Sequence, residues 1–299
     1  MSAEAKKVPV EVDGHKLALS NLDKVLYPAA GFTKAQVIDY YQRIAPVLLP
    51  YIADRPVTIK RYPDGVDGKF FFQKNAPAHP DWVPTARIPS PGSTKSREEV
   101  EYILGGDLAT LIWAANLAAL ELHTPMWRYP EIGQPDLLVF DLDPGPPATI
   151  VECCQVALLL RPLLADRGLE PVAKTSGRKG MQLYAAVSGV TSEQTSDLAK
   201  ELAEQLEQQQ PELVVSRMTR ALRPRKVLVD WSQNNAAKTT VAPYSLRARE
   251  EPTVSTPVTW DEVESCKRAE DLMFTADDVL HRVAESGDLF AAVLGGRDT

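Results

Sequence analysis

The sequence predicts an α+β fold in which an antiparallel sheet is backed by helices on one face. Between residues 137 and 230, short valine- and leucine-rich runs typical of buried strands alternate with longer segments of helical periodicity. Their order is strand, helix, strand, strand, helix, strand, which is the split βαβ arrangement. A chain of 299 residues with 44% hydrophobic content is long enough to bury the core that this fold needs.

A separate set of elements precedes this sheet. Thr33-x-x-Gln36 is a capping box, and apolar residues at helical spacing follow it. Capping, periodicity and turn signals predict a helix over 33–50, a basic strand over 55–62, an aromatic strand over 70–72, a proline-rich loop over 76–97 and an apolar helix over 107–122. Loops as long as the one predicted over 76–97 are often functional.

The C-terminal half supplies the elements of the split βαβ arrangement. We expect strands over 137–141, 170–175, 181–187 and 226–230, helices that begin at Thr149-x-x-Glu152 and Thr191-x-x-Gln194 and end near Gly168 and Pro211, and helical structure over 260–294. In this arrangement the strands over 137–141 and 226–230 are both central.

The first of these strands ends in two aspartates. Successive side chains of a strand point to opposite faces, so Asp141 and Asp143 fall on one face and Leu142 on the other. Two carboxylates on one face repel each other, and a hard cation such as Mg²⁺ or Mn²⁺ relieves that repulsion. A strand end that enters a Pro-Gly turn, with its aspartates bonded to the backbone, explains the same residues.

A third aspartate changes the balance between these two interpretations. Asp230 ends another short valine-rich run, and the sequence alone does not show whether the two runs are neighbours. If they are, three carboxylates converge at one end of the sheet. That is enough for two divalent ions roughly 4 Å apart, which phosphoryl transfer often uses.

A small basic loop, Ser-Gly-Arg-Lys-Gly at 176–180, joins two of the predicted strands. Its backbone N–H groups, the Ser176 hydroxyl and the Lys179 ammonium could cradle a triphosphate. The spacing is not that of a Walker A loop, and an ordinary Ser-Gly hairpin turn is the alternative.

Charge is distributed unevenly along the chain. The net charge is −7, yet residues 217–249 hold eight Lys or Arg side chains and only one acidic residue, Asp230. Residues 250–299 hold 12 acidic and 4 basic side chains, so an acidic tail masks a basic band. Basic bands are often no more than solvated faces, but one that brackets a candidate metal ligand favours phosphate binding.

Targeting signals and cysteine spacing exclude several classes of protein. The sequence has no apolar run near the ~20 residues of a membrane span, and its N-terminus lacks the apolar segment of a signal peptide. We therefore expect a cytoplasmic protein without a membrane partner. Cys153, Cys154 and Cys266 lack metal-site spacing and are expected to be buried free thiols.

Eight motifs, taken together, resemble one family. They are LSNLDKVLYP at 19–28, KR at 60–61, FF at 71–72, ELH at 121–123, FDLDPG at 140–145, SGRKG at 176–180, VDWSQN at 229–234 and KTTVAPYSLR at 238–247. In this order, over nearly the whole chain, they resemble the archaeo-eukaryotic primase-polymerase superfamily, specifically the polymerase domain of bacterial end-joining ligase D and its stand-alone relatives. The resemblance implies a single primase-polymerase domain over 1–299. Its parts would be an N-terminal α/β portion that binds DNA over 1–130, a catalytic RRM-like sheet over 131–250 and an acidic helical tail over 251–299.

The resemblance also implies an activity. Such a protein is a nucleotidyltransferase, a primase-type polymerase that adds nucleotides, preferably ribonucleotides, to 3′-hydroxyl ends at DNA breaks or short gaps. It uses two divalent ions, Mn²⁺ or Mg²⁺, with NTP or dNTP as substrate, and it recognises a downstream 5′-phosphate on the DNA. A separated ligase D domain would act in end joining with Ku and a DNA ligase, near the nucleoid of a bacterial or archaeal cell, whereas a stand-alone protein could fill short gaps or prime.

Residue roles follow from the resemblance by position. Asp141, Asp143 and Asp230 match the metal ligands, and His123 matches a further catalytic residue. Positions around the incoming nucleotide are matched or neighboured by Lys60, Ser176, Lys179, Gln182, Arg223, Gln233, Lys238 and Arg247. The DNA-binding positions are Asn21, Lys24 and Lys34, which match a pocket for the 5′-phosphate, and Phe71 and Phe72, which match aromatics that stack on the template and nucleotide site.

One position departs from the family pattern. Relatives commonly read Ser-Gly-Ser-Lys-Gly-Leu-His where this chain reads Ser-Gly-Arg-Lys-Gly-Met-Gln over 176–182. Gln182 can donate a hydrogen bond but cannot carry charge, so the change could lower triphosphate affinity or alter the preferred metal, and Arg178 could compensate.

Two functions of other classes remain open. A non-catalytic DNA-end-binding module would retain Lys24, Lys34 and the phenylalanines without needing three acids. A metal-dependent phosphodiesterase would use clustered aspartates but has no use for a triphosphate loop.

Overall fold

The structure is a computed structural model that describes residues 7–89 and 98–295. Its α-helices are α1 (Lys34–Ile52), α2 (Leu108–Asn116), α3 (Ile150–Ala165), α4 (Ser192–Gln209), α5 (Trp260–Ser265) and α6 (Ala276–Ser286). Short 3₁₀ helices lie at Arg220–Leu222, Trp231–Asn234, Ala269–Leu272 and Ala291–Leu294. The capping boxes predicted at Thr33, Thr149 and Thr191 are all present, so the starts of α1, α3 and α4 are confirmed.

The strands fall into an N-terminal and a C-terminal group. The N-terminal strands are β1 (Lys7–Val12), β2 (His15–Ser20), β3 (Val25–Tyr27), β4 (Phe32–Thr33), β5 (Pro56–Arg61), β6 (Phe71–Gln73), β7 (Thr85–Pro89), β8 (Glu99–Leu104) and β9 (Ala119–Thr124). The C-terminal strands are β10 (Leu137–Pro144), β11 (Val172–Thr175), β12 (Met181–Ala186), β13 (Val214–Val215), β14 (Val227–Asp230), β15 (Thr240–Val241) and β16 (Pro257–Val258).

The C-terminal sheet confirms the predicted split βαβ arrangement. Its strand order is β13-β14-β10-β12-β11-β16, and every neighbouring pair except β13 with β14 is antiparallel. Helices α3 and α4 cover one face, where they pack on Leu138, Phe140 and Leu142 of β10. Strand β16 extends the sheet with residues from the acidic C-terminal segment.

The other face of this sheet is turned towards the N-terminal part of the chain. The N-terminal sheet has the order β15-β9-β5-β8-β7, with β6 paired to β5. Val139 and Tyr184 of the C-terminal sheet belong to the same hydrophobic cluster as Ile59 and Leu122 of the N-terminal sheet. Because Asp141 alternates with Leu142, it lies on this face, between the two sheets.

One predicted element is wrong in its second half. The helix expected over 107–122 ends at Asn116, Ala118 takes a left-handed conformation with φ of 58°, and the chain continues as strand β9. All residues of 119–122 are buried, so this strand is covered on both faces. A strand of that kind has no polar alternation and resembles an apolar helix in sequence.

Other predicted elements shift or divide. The segment 76–97 is not a single loop, because Thr85–Pro89 forms β7 and pairs with β8, while 90–97 lies outside the described residues. The strand predicted over 137–141 extends to Pro144, which places Asp143 inside the strand. The helical structure predicted over 260–294 is divided into α5, α6 and two 3₁₀ helices.

Two simpler predictions can be compared directly with the structure. Cys153, Cys154 and Cys266 are free and buried, as expected. Within 7–89 and 98–295, no helix is both long and apolar enough to span a membrane.

Candidate active site

The three aspartates lie around the centre of the C-terminal sheet. Asp141 on β10 is directly opposite Asp230 on β14, and on its other side it is opposite Gln182 on β12. Asp143 follows two residues along β10 and therefore points to the same face as Asp141. The pairing of β10 with β14 is the neighbour relation that a three-carboxylate site requires.

Asp141 and Asp143 interact with side chains rather than with a turn. Oδ1 of Asp141 accepts a hydrogen bond from Nε2 of Gln182 at 3.0 Å, and Oδ1 of Asp143 lies 4.0 Å from Nζ of Lys179. Burial, together with repulsion from Asp143 and Asp230, raises the pKa of Asp141 to about 7. Asp141 therefore forms no direct ion pair with a described residue, and the effect of nearby Lys174 does not outweigh burial and repulsion.

Asp230 also holds the start of a 3₁₀ helix. Its Oδ1 accepts from the backbone N–H of Ser232 at 3.0 Å, which is a local cap of the kind expected for an aspartate at a strand end. Its Oδ2 accepts from Nε2 of Gln233 at 2.9 Å. Nζ of Lys238 in turn donates to the hydroxyl of Ser232, so three predicted site residues are joined here.

The chemistry of this donor set fits a divalent cation. Three carboxylates on one face are hard oxygen ligands, and the raised pKa of Asp141 reflects the repulsion that a cation would relieve. As the side chains stand, no three acidic, histidine or cysteine residues of the described chain converge closely enough to hold an ion. Binding would therefore require movement of at least one of the three carboxylates, and Asp230 is the one held on both oxygens, by Ser232 and Gln233.

A cleft runs beside the aspartates and has two parts. The first is a cavity of about 320 Å³ lined by predicted site residues: His123, Asp141, Asp143, Ser176, Lys179, Gln182, Gln233 and Arg247. The second, of about 240 Å³, is lined by Asp143, Lys179, Arg220 and Arg223 among others. Asp143 and Lys179 border both parts, so the acidic centre opens onto a basic extension.

A buried carboxylate organises one wall of this cleft. Glu121 on β9 is 1% exposed; its Oε2 is 2.9 Å from Nε2 of His123 and 3.6 Å from Nε of Arg247, and its Oε1 is 3.6 Å from Nζ of Lys60. Burial opposes ionisation, but the hydrogen bond with His123 and the nearby positive charges outweigh it, and the pKa of Glu121 falls to about 2. Lys60 thus reaches the site through Glu121.

His123 lies between this carboxylate and the aromatic strand. Burial lowers the pKa of His123 despite the opposing effect of Glu121, so the imidazole is neutral near pH 7. Its ring meets that of Phe72 edge to face at 5.5 Å between centroids. Phe71 and Phe72 are 54% and 50% exposed, which excludes core packing as the explanation for both and leaves their faces free to stack.

The Ser-Gly-Arg-Lys-Gly loop is a tight hairpin between β11 and β12. The Ser176 hydroxyl accepts from the backbone N–H groups of Arg178 and Gly180, so these donors are used within the loop. Gly177 has φ of +66°, and a Cβ there would lie 2.6 Å from Cγ of Arg247, which explains the glycine. The hairpin alternative therefore accounts for the loop backbone, and the loop contributes Ser176, Arg178 and Lys179 to the lining of the cleft.

Two arginines of the cleft carry donors without partners in the described chain. Nε of Arg223 and Nε of Arg247 are buried and form no hydrogen bond there, although Nε of Arg247 lies 3.6 Å from Oε2 of Glu121. An unpaired buried donor costs about 1–3 kcal/mol, so such groups are normally satisfied by something else. An anionic ligand such as a phosphate group would satisfy them.

A second cationic cluster lies away from the cleft, where α1 begins. The backbone N–H of Lys34 donates to the carbonyl of Lys24 at 2.8 Å, and that of Lys24 donates to the carbonyl of Asn21 at 3.0 Å. Lys34 is 5% exposed, and burial, followed by repulsion from Lys24 and Arg61, lowers its pKa to about 8. Nζ of Lys24 is paired with Oδ1 of Asp64 at 3.1 Å, whereas the lowered pKa of Lys34 indicates a cation that an anionic ligand would stabilise.

Comparison with known proteins identifies the family. A family model described as the LigD primase-polymerase domain matches residues 33–290. The chain belongs to this family. It is 46% identical over 280 residues to the multifunctional non-homologous end joining protein LigD of Mycolicibacterium smegmatis, covering 92% of this chain and 36% of that protein. It is 34% identical over 275 residues to the bifunctional LigD of Bacillus subtilis, covering 91% of this chain and 43% of that protein.

A solved structure supports the same assignment. The polymerase domain of Mycobacterium tuberculosis ligase D, in complex with DNA, matches with a TM-score of 0.87 and 43% identity, covering 94% of this chain and 99% of that one. The resemblance and the fold class inferred from the sequence are thereby confirmed. As a LigD primase-polymerase domain, the chain is a polymerase of the nucleotidyltransferase type, and polymerase domains in general depend on divalent metal.

Sequence reasoning did not assign a role to Glu121, although the structure makes it central to the basic wall. A signal was available, because a charged residue between Leu120 and Leu122 in an apolar run is unusual. The prediction of a helix in this region hid the strand that points Glu121 at the cleft.

Replacement of Glu121 by glutamine is expected to raise the KM for the incoming nucleotide by about 10-fold and to destabilise the protein by about 3 kcal/mol. The reason is that Lys60 and Arg247 would lose the charge that holds them in place. Steady-state kinetics and thermal unfolding measure both effects. Glu204→Gln, in an exposed pair with Lys200, is the matched control and should change neither. An unchanged KM would show that Glu121 has no part in nucleotide binding.

The raised pKa of Asp141 predicts a pH-dependent effect of metal. Between pH 3.8 and about 7 the folded protein holds a proton on Asp141 that the unfolded chain has lost, so without metal this group makes folding less favourable as pH rises. Mn²⁺ should compete with that proton and raise the melting temperature more at about pH 8 than at about pH 6. The difference between the two shifts should disappear in Asp141→Asn, and an equal shift at both pH values would contradict the prediction.

Proposed function

We propose that this domain adds nucleotides, preferably ribonucleotides, to 3′-hydroxyl ends at DNA breaks and short gaps, where it recognises a downstream 5′-phosphate. The observation that carries the proposal is a cleft that is lined by Asp141 and Asp143, with Asp230 directly opposite Asp141 on the neighbouring strand, and that continues into a basic extension lined by Lys179, Arg220 and Arg223. Nucleotide transfer from a nucleoside triphosphate needs acidic ligands for the metal ions and, beside them, basic groups that bind the phosphates.

Asp141, Asp143 and Asp230 are the proposed ligands of two divalent ions, Mn²⁺ or Mg²⁺. The ions would supply charge neutralisation and Lewis-acid activation for phosphoryl transfer. Gln182 and Gln233 hold two of these carboxylates in the absence of metal. The proposal is supported by the repulsion at Asp141, because a site that needs a cation should be unfavourable without one.

The triphosphate is proposed to lie along the basic side of the cleft. Lys179, Arg223 and Arg247 would bind its oxygens, and Nε of Arg223, which has no hydrogen-bond partner in the described chain, would be one of the donors. Such contacts position the phosphates and balance the charge of the leaving pyrophosphate. Lys60 and Lys238, which lie behind Glu121 and Ser232, would contribute through those residues, and Ser176 would shape the loop.

The DNA is proposed to lie over the N-terminal sheet. Phe71 and Phe72 expose their ring faces at the edge strand β6, where bases could stack, with His123 beside them. Asn21, Lys24 and Lys34 would bind the downstream 5′-phosphate, for which the buried ammonium of Lys34 is well suited.

Residues 1–299 are proposed to act as one primase-polymerase unit, with DNA binding over 1–130, catalysis over 131–250 and the acidic segment over 251–299. Two core clusters and strand β16 connect these parts. We further propose that the domain works with Ku and a DNA ligase in end joining, since curated relatives are end-joining proteins.

Extension of a labelled primer across a short DNA gap tests the proposed function. We expect the native protein to add nucleotides in Mn²⁺, faster with ribonucleotides, and faster when the downstream end carries a 5′-phosphate instead of a 5′-hydroxyl. Asp141→Ala should add none. Lys34→Met should extend both substrates at the slower rate, because the proposed contact with the 5′-phosphate would be lost.

Other outcomes would point to other functions. Tight 5′-phosphate-dependent binding without any extension would indicate a DNA-end-binding module and direct attention to Gln182. Shortening of the labelled strand without consumption of triphosphate would indicate a phosphodiesterase. Equal extension of both downstream ends would remove the proposed role of Asn21, Lys24 and Lys34.

A further inference from the structure

A completely buried lysine lies in line with the aspartates. Lys174 on β11 has no exposed surface, and it is directly opposite Gln182 on β12. Gln182 is opposite Asp141, and Asp141 is opposite Asp230. Four neighbouring strands therefore place Lys174, Gln182, Asp141 and Asp230 in one row across the sheet.

The hydrogen bonds of Lys174 identify its charge state. Its Nζ lies 2.5 Å from Oε1 of Gln182, 2.6 Å from Oγ of Ser255 and 3.1 Å from the carbonyl of Val241. The Ser255 hydroxyl donates its own proton to the carbonyl of Thr175, so towards Lys174 it is an acceptor. Burial, followed by repulsion from Arg247, lowers the pKa of Lys174 well below its ordinary value. The geometry acts in the other direction, because three acceptors match the three N–H donors of an ammonium and a neutral amine has only two.

This ammonium fixes the amide of Gln182 in one orientation. Lysine cannot accept a hydrogen bond, so the atom that faces it must be the amide oxygen. The hydroxyl of Tyr184 donates weakly to the same oxygen at 3.4 Å. The amide nitrogen is thereby turned to the opposite side, where it donates to Oδ1 of Asp141.

We propose that Lys174 is a positioning residue of the nucleotidyltransfer site, which acts through the Gln182 amide to hold Asp141 in the orientation that binds metal. The inference rests on the proposed function of the three aspartates. It also explains how an uncharged glutamine can serve at this position. The positive charge stands one residue behind it, and the polarised amide carries its effect to Asp141.

Lys174→Met tests the proposal, because it keeps the length and burial of the side chain and removes its three donors. Mn²⁺ binding is measured by electron paramagnetic resonance without DNA or nucleotide, and kcat and KM are measured on gapped DNA. We expect Mn²⁺ affinity and kcat to fall by about 10–100-fold, the range typical of residues that orient metal ligands. The KM for nucleotide should stay within about threefold, since Lys174 does not reach the triphosphate side.

Two further variants distinguish an effect transmitted along this row of residues from a general effect on packing. Gln182→Met should reproduce the losses of Lys174→Met, and the double variant should be no worse than Gln182→Met, because the two residues act in series. Ser255→Ala removes an acceptor on the other side of the ammonium and should leave kcat within about threefold of native.

Several results would overturn the inference. One is an additive loss in the double variant. Another is native Mn²⁺ affinity and native kcat in Gln182→Met, a result that can be obtained even if Lys174→Met does not fold. A loss in Ser255→Ala equal to that in Lys174→Met would show a packing effect. If the native protein extends primers while Lys174→Met does so equally well, only this inference fails; if the native protein adds no nucleotide at all, the proposed function fails with it.

Discussion

Replacement of Asp230 by asparagine is expected to lower nucleotide addition by at least about 10³-fold, which corresponds to about 4 kcal/mol of transition-state stabilisation. Asparagine keeps the size of the side chain and an oxygen that can still accept from the N–H of Ser232, so the 3₁₀ helix after β14 should remain. What is lost is one of three negative charges at the centre of the sheet. Single-turnover addition to gapped DNA in saturating Mn²⁺ measures the effect.

The control for this variant is Asp261→Asn. Asp261 is an exposed aspartate in the first turn of α5, far along the chain from the cleft, and its replacement should leave addition at the native rate. Affinity of Asp230→Asn for gapped DNA with a 5′-phosphate should also stay native, because the cationic cluster at Lys24 and Lys34 is untouched. Addition above about a tenth of the native rate, an effect below about 1.4 kcal/mol, would show that Asp230 is not a metal ligand.

The part of the site that depends on local periodicity could be predicted from sequence. The alternation of a strand places Asp141 and Asp143 on one face, and that relation needs no tertiary information. The position of Asp230 required more, because only the strand order shows that β14 lies beside β10. The split βαβ pattern supplied that order, which is why the prediction of converging aspartates could be made.

Residues whose role depends on burial could not be predicted. Lys174 stands in a short run where a lysine is normally exposed, and nothing local indicates that β16 and β12 enclose it on both sides. Glu121 lies in a strand whose apolar sequence predicts a helix, so the sequence does not predict the direction of its side chain. Both are charged groups that tertiary partners make tolerable inside the protein, and those partners come from distant parts of the chain.

Replacement of Asp136 by asparagine is expected to destabilise the protein by about 3–5 kcal/mol, which should lower the melting temperature by roughly 5–15 °C. Arg55 is 1% exposed, and its Nη2 contacts both oxygens of Asp136, at 2.6 and 2.8 Å. The pair connects the start of β5 to the residue before β10. Asparagine keeps one oxygen that can accept from the guanidinium but carries no charge, so Arg55 would stay buried with only neutral partners, among them the carbonyls of Tyr51 and Pro125.

The pH dependence of this loss distinguishes a buried ion pair from a simple packing change. Burial would raise the pKa of Asp136, but Arg55 and Arg128 outweigh it and hold that pKa below its ordinary value. A lowered carboxyl pKa gives stability that is present above the unfolded-state value of 3.8 and is lost as pH falls through the folded-state value. The difference in unfolding free energy between native protein and Asp136→Asn should therefore be constant near neutral pH and shrink in acid. Glu101→Gln, in the exposed pair with Arg87, is the control and should lower the free energy of unfolding by less than about 1 kcal/mol at every pH. An equally small loss for Asp136→Asn would show that Arg55 does not need its partner.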